Sequence, residues 1–136
     1  MPEGSAVVRA WAAPVRYAEI DGQGVVFNAH YLTWADEACT AWFAAVGIPY
    51  DALLARDLDM KVKASTLEWA SSARYGDVVE VDARCERIGG TSWVLVLAVR
   101  VGERLCCTVR TTYVLVDGDG RPVRVPDDLR ARWQAG

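Results

Sequence analysis

Over residues 78–88, Val79, Val81, Ala83 and Cys85 alternate with Glu80, Asp82, Arg84 and Glu86. A period of two predicts a strand with one face in the core and one in solvent. Residues 93–101 are apolar on both parities, which predicts a strand covered on one face by the helix and on the other by neighbouring layers or a partner subunit, and Gly89-Gly90 between the two reads as a hairpin turn. Two more strands are expected at residues 105–116, closed by Asp117-Gly118-Asp119-Gly120, and at residues 62–73, before a turn at Tyr75-Gly76-Asp77. Residues 6–17 predict a first strand in which Pro14 implies an edge, a bend or a bulge.

The period changes after the turn at Gly22 to Gly24. From residue 28 to 46, Tyr31, Leu32, Trp34, Ala35, Ala38, Cys39, Trp42, Phe43 and Val46 recur three to four apart. This is one long buried helix, with Asn28 as its cap and Gly47 as its stop. Residues 48–59, opened by Pro49, form a short helical or loop excursion. The order is strand, long helix, then four strands on short turns, which is the α+β class with an antiparallel sheet and one helix lying on it. One helix covers only one face of such a sheet, so the bare face and free edges imply a homo-oligomer. Trp34, Trp42 and Phe43 are expected in the core. Trp69 and Trp93 are expected to be packing residues, of which one could floor a pocket.

The chain has 136 residues, 52% of them hydrophobic and 24% charged, which predicts a single domain over residues 1–136. No apolar run reaches the length of a membrane span, and the opening residues lack the features of a secretory signal, so the expected location is the cytoplasm. A net charge of −3 argues against a nucleic-acid footprint. Cys39, Cys85, Cys106 and Cys107 lack CxxC spacing and are expected to be reduced, buried thiols. With His30 as the one histidine, a metal site would need an unusual ligand set, and no metal or organic cofactor is expected.

The chemistry concentrates in residues 16–31, RYAEIDGQGVVFNAHY. Asp21 lies on a glycine-bracketed turn just before the long helix, whose first N–H groups and partial positive charge would stabilise an oxyanion. In that place Asp21 is the only nearby group able to attack a carbonyl or activate water. The bland alternative is an aspartate that merely satisfies turn amides. A serine hydrolase is excluded by the absence of GxSxG and by the single histidine available to a triad.

Three segments together resemble the hotdog-fold thioesterases, in the branch containing 4-hydroxybenzoyl-CoA thioesterase and the acyl-CoA thioesterases of the Tol–Pal system. They are residues 16–32; residues 73–81 with Ile88-Gly89-Gly90-Thr91-Ser92; and residues 117–126. The resemblance implies a sheet of about five strands wrapped around one central helix. It also implies a homodimer, commonly doubled into a homotetramer, with active sites between subunits, and cofactor-free hydrolysis of acyl-CoA. By this likeness Asp21 is the nucleophile or general base, and the Asn28 backbone N–H holds the thioester carbonyl. Gly24, His30, Tyr31, Asp36, Arg74, Arg87, Thr91 and Ser92 are implied to contact substrate. Asp36 corresponds to a helix residue facing the acyl pocket, and Arg74, Arg84 and Arg87 flank the turn and hairpin near the CoA phosphates. Asn28 and Cys39 depart from the family pattern, where histidine or tyrosine, and arginine, are common. His30 alone reads equally as a pocket wall or surface residue.

The expected substrates are aromatic or short-to-medium aliphatic acyl-CoA thioesters. An acyl-carrier-protein thioesterase and a non-catalytic thioester-binding protein are the alternatives. A hydratase on the same fold is disfavoured, because no histidine–carboxylate motif surrounds His30.

Overall fold

Val8–Pro14 forms the first strand, β1, which a single 3-10 turn at Tyr17–Glu19 follows in this computed structural model; the structure describes residues 5–135. The long helix α1 spans His30–Ala45 and a short α2 spans Tyr50–Ala55. Four strands follow: β2 (Leu58–Trp69), β3 (Val78–Ile88), β4 (Ser92–Val101) and β5 (Arg104–Asp117). A last helix, α3, spans Asp127–Ala135. The strands make one antiparallel sheet in the order β1-β3-β4-β5-β2, the hotdog arrangement the sequence implied.

The helix turns Tyr31, Trp34, Ala35, Ala38, Cys39, Trp42 and Phe43 to the sheet, all buried. They meet Val79, Val81 and Ala83 of β3, Trp93, Leu95, Leu97 and Val99 of β4, and Val109, Tyr113 and Leu115 of β5 in one core. The helix stops at Gly47, whose φ of +88° takes the left-handed conformation that closes a Schellman turn. Its N–H donates to Ala44 O at 3.0 Å and the Ile48 N–H to Phe43 O at 2.9 Å. Pro14 ends an edge strand that also carries a bulge between Arg9 and Trp11. All four cysteines are buried and free.

Several expectations need correction. The first strand ends at Pro14 rather than Tyr17, because the chain turns into the 3-10 segment. β2 begins four residues earlier than its apolar pattern implied and ends at Trp69, since Leu58 to Lys61 pair with Val114 to Asp117 and so join the sheet through their backbones. The helix closes one face of β4, as expected, and Val96, Ala98 and Arg100 on the other are half-exposed, the face left to a neighbouring layer or subunit. The helix α3 was not foreseen. It caps the β3–β4 hairpin, with the Val125 N–H donating to Gly90 O at 2.8 Å and Arg130 Nη2 to Gly89 O at 3.0 Å. Its Trp133 is fully buried against Trp93, with ring centroids 4.4 Å apart, and against Trp42 at 6.0 Å. No helix among the described residues is long and apolar enough to cross a membrane.

Candidate active site

The segment between the 3-10 turn and α1 folds back on itself as a very short ladder. Ile20 and Val26 form an antiparallel bridge, the Asp21 N–H donates to Val25 O at 2.9 Å, and the Phe27 N–H donates to Glu19 O at 2.9 Å. Gly24 closes the turn at φ +77°, a left-handed conformation that costs a side-chain-bearing residue about 1–2 kcal/mol. Asp21 sits half-buried at the head of this turn. Its Oδ1 accepts the Gln23 N–H at 2.8 Å, while Oδ2 takes no hydrogen bond from the described residues. The turn-forming role and a chemical role therefore coexist, one oxygen serving each.

Directly after the ladder the chain enters α1. The cap residue is Ala29, not Asn28, and no side chain caps the helix, because the His30 N–H already donates to Phe27 O at 3.0 Å. Asn28 is exposed, and its N–H makes no hydrogen bond among the described residues. Asn28 and Asp21 both line a pocket of about 250 Å³, together with Gln23, Val25, Val26, Tyr31, Trp69 and Ser72. A carboxylate oxygen and a free N–H at a helix start, in one pocket, are the two parts that acyl transfer to water requires.

Three of the expected site residues thus meet: Asp21, Asn28 and Tyr31. Tyr31 is buried, and its phenolic oxygen accepts the Ala73 N–H at 3.0 Å. Burial raises its pKa, only partly countered by that amide. Gly24 shapes the turn without lining the pocket. His30 is the first residue of α1 rather than lying two residues inside it, and stands edge-on to Phe27 with ring centroids 6.0 Å apart. Asp36 lies further along α1, outside this pocket, where the Tyr113 hydroxyl donates to its Oδ1 at 3.4 Å. Asp36 is exposed on the helix, but partial desolvation of its carboxyl raises its pKa, the neighbouring Glu37 charge adds to the effect, and the Tyr113 hydroxyl only partly offsets it.

Arg74 is exposed beside the pocket wall, in the turn where its N–H donates to Asp77 Oδ2 at 2.8 Å. Arg87, Thr91 and Ser92 are elsewhere. They occupy the β3–β4 hairpin, at the end of the sheet opposite the pocket, separated from it by the length of β3. At about 3.3 Å per residue that is on the order of 30 Å, so one chain cannot bring them to Asp21. Arg84 is half-buried, with Nη2 3.8 Å from Glu86 Oε1.

Of the two tryptophans of which one could floor a pocket, Trp69 is the one that lines it, 51% exposed, while Trp93 packs in the core. One wall residue was missed. Ser72 drew no notice; its carbonyl accepts Arg104 Nη1 at 3.0 Å, and the same nitrogen reaches Ser71 Oγ at 2.7 Å. The departure at Cys39 is a packing substitution. Its thiol is buried, pushed up to about 12 by that burial, and therefore not a thiolate near neutral pH. No cluster of metal-ligating side chains occurs among the described residues. A pocket of about 380 Å³ opens at the far end of the sheet. Its Asp59 is engaged by the Tyr50 hydroxyl, and its Asp117 by the N–H groups of Asp119 and Arg121.

Comparison with known proteins adds a lineage to this geometry. A family model described as the thioesterase-like superfamily matches residues 15–133. The acyl-CoA thioester hydrolase YbgC of Escherichia coli O6:H1 is 30% identical over 84 residues, 62% of this chain. The match spans 63% of the length of that protein. A structure of the protein TT1821 from Thermus thermophilus superposes with a TM-score of 0.85 at 27% identity, covering 95% of this chain and 97% of that one. Slr0204, a 1,4-dihydroxy-2-naphthoyl-CoA thioesterase from Synechocystis, shares the fold with a TM-score of 0.79 at 16% identity, covering 93% of this chain and 95% of that one.

Proposed function

The chain belongs to the thioesterase-like superfamily, and from that premise we propose that it hydrolyses acyl-CoA thioesters to a free acid and CoA, with Asp21 as the reacting carboxylate. The observation that carries this reading is the placement of Asp21 and the unpaired Asn28 N–H in one pocket. The Asn28 N–H receives the thioester carbonyl and stabilises the oxyanion as it develops. Asp21 either removes a proton from the water that attacks the carbonyl carbon, or attacks it directly to give a mixed anhydride that water then opens. In both courses the C–S bond breaks, CoA leaves as the thiolate and is protonated, and the acid departs as a carboxylate. A thiolate is a good leaving group, so no three-residue relay is required.

Trp69 and Tyr31 give the pocket flat walls, which supports aromatic or short-to-medium aliphatic acyl groups as substrates. The position of Arg87, Thr91 and Ser92 supports a site between subunits, in which the hairpin of a second copy reaches the CoA phosphates bound near Asp21. A homodimer, doubled into a homotetramer, also covers the half-exposed face of β4. Four free thiols suit the reducing cytoplasm.

The test is release of CoA thiol from a panel of aromatic and aliphatic acyl-CoAs by wild type and Asp21→Asn, with a protein-only blank for the four cysteines. The expected loss in kcat is about 10²-fold or more; equal rates would remove Asp21 from the reaction. Mixing Asp21→Asn with Arg87→Ala protein tests the shared site. Activity regained in the mixture is expected, and a mixture no better than its components would place each site within one chain.

A further inference from the structure

We propose that Glu19 is a positioning residue for this centre, fixing the ladder that carries Asp21 and the Asn28 N–H against α1. The proposal rests on the reading of Asp21 above. Glu19 is 2% exposed, and all its hydrogen bonds go to groups that set the position of the loop. Its Oε1 accepts the Arg16 N–H at 2.7 Å, and its Oε2 accepts Arg16 Nη2 at 3.2 Å and the Trp34 indole N–H at 2.8 Å. Its backbone carbonyl accepts the Phe27 N–H at 2.9 Å, immediately before Asn28. One residue thus ties the entry of the loop, its exit and the second turn of α1 together.

Glu19 does not face the thioester. It lines a separate cleft of about 370 Å³ with Trp11, Arg16, Trp34 and Glu37, whereas Asp21 lines the other pocket. Any influence on the reaction therefore passes through the ladder. The carboxylate form is the one the site requires: burial pushes the Glu19 carboxyl up, but the Arg16 and Trp34 donors outweigh it and hold the pKa below its ordinary value. A glutamine has one acceptor oxygen where three donors converge, so its NH₂ would oppose at least one of them at a side chain only 2% exposed. The ladder would then shift, and a misplacement on the order of 1 Å costs about 10²-fold in rate.

The experiment compares Glu19→Gln, Trp34→Phe, Asp21→Asn and the double variant Glu19→Gln/Asp21→Asn with wild type, well below each melting point. Folding is checked by circular dichroism. Glu19→Gln is expected to lower kcat about 10- to 100-fold with KM within about threefold, and Trp34→Phe to lower it about 3- to 10-fold. In the Asp21→Asn background, Glu19→Gln should cost clearly less than in wild type, because the share it exerts through Asp21 is already lost and only the placement of the Asn28 N–H remains to be disturbed. A merely structural Glu19 would lower the melting point and leave kcat per folded enzyme unchanged, which overturns the proposal. A loss confined to KM, or a full penalty in the double variant, overturns it as well. Should Glu19→Gln fail to fold, an unchanged kcat in Trp34→Phe is decisive against it. An active Asp21→Asn protein would defeat the underlying reading first, and this proposal with it. An impaired Asp21→Asn beside a fully active Glu19→Gln would defeat the positioning role alone.

Discussion

The peptide of Ala73 is bonded on both sides to the site: its N–H donates to the Tyr31 phenolic oxygen at 3.0 Å, and its carbonyl accepts the Val26 N–H at 2.9 Å. The connection from β2 to β3 is thereby fastened to α1 and to the ladder at once. Tyr31→Phe keeps the ring but strands the Ala73 N–H in a fully buried position. A loss of about 1–3 kcal/mol is expected, read as a lower urea midpoint with unchanged m-value. An unchanged midpoint would mean that the tether contributes nothing to stability.

At Asn28 the backbone and the side chain have separable fates. The side chain caps nothing and is exposed, so Asn28→Ala should hold kcat within about threefold. Asn28→Pro deletes the N–H itself, and a loss of about 10²–10³-fold is expected, as for the removal of one oxyanion donor. Thiol-release kinetics on the two variants check this; equal losses would assign the contribution to the side chain.

Asp36 makes stability depend on pH in a direction opposite to most carboxylates. Its folded pKa is raised, chiefly by burial. The folded state thus favours the protonated form, and the associated stability is present below the unfolded value of about 3.9 and lost as pH rises through the folded one. Asp36→Asn retains an acceptor for the Tyr113 hydroxyl without the partly desolvated charge. Its melting temperature should exceed that of wild type near neutral pH, and the difference should vanish below about pH 4. A constant difference across that range would dissociate the effect from ionisation.

Among the described residues, the indole N–H groups of Trp42, Trp93 and Trp133 are buried without hydrogen-bond partners. Trp133→Phe removes one such donor along with some ring volume, so the two effects oppose each other and a change within about 1.5 kcal/mol is expected. Trp133→Ala leaves the space empty and should cost about 3–5 kcal/mol. Chemical denaturation of both variants decides the point, and similar penalties would mean that the volume a phenyl ring retains contributes nothing.

What the sequence disclosed follows from the range of the interactions involved. The strand over Val78–Ile88 was legible to the residue, because burial of one face is written as simple alternation. Gly47 was legible as a stop because the Schellman turn is local. The start of β2 was not, since Leu58 to Lys61 enter the sheet by pairing with residues more than fifty positions away. Trp133 gave a weaker signal, four residues after Leu129 and behind Pro126-Asp127-Asp128, a helix start that passed unread. At the site, Asp21 was singled out by its glycine turn ahead of the helix and, with Asn28, by the likeness of residues 16–32 to a known pattern. Glu19, two positions from Asp21, was overlooked because its significance depends on an indole fifteen residues further on.

The position of α3 also bears on the order in which the protein is made. Trp133 completes an aromatic cluster whose other members, Trp42, Phe43 and Trp93, leave the ribosome well before it. During translation the nascent sheet and helix must therefore wait with an open apolar seam above the β3–β4 hairpin. That interval exposes the chain to association with its neighbours, and slowing synthesis after β5 would lengthen it.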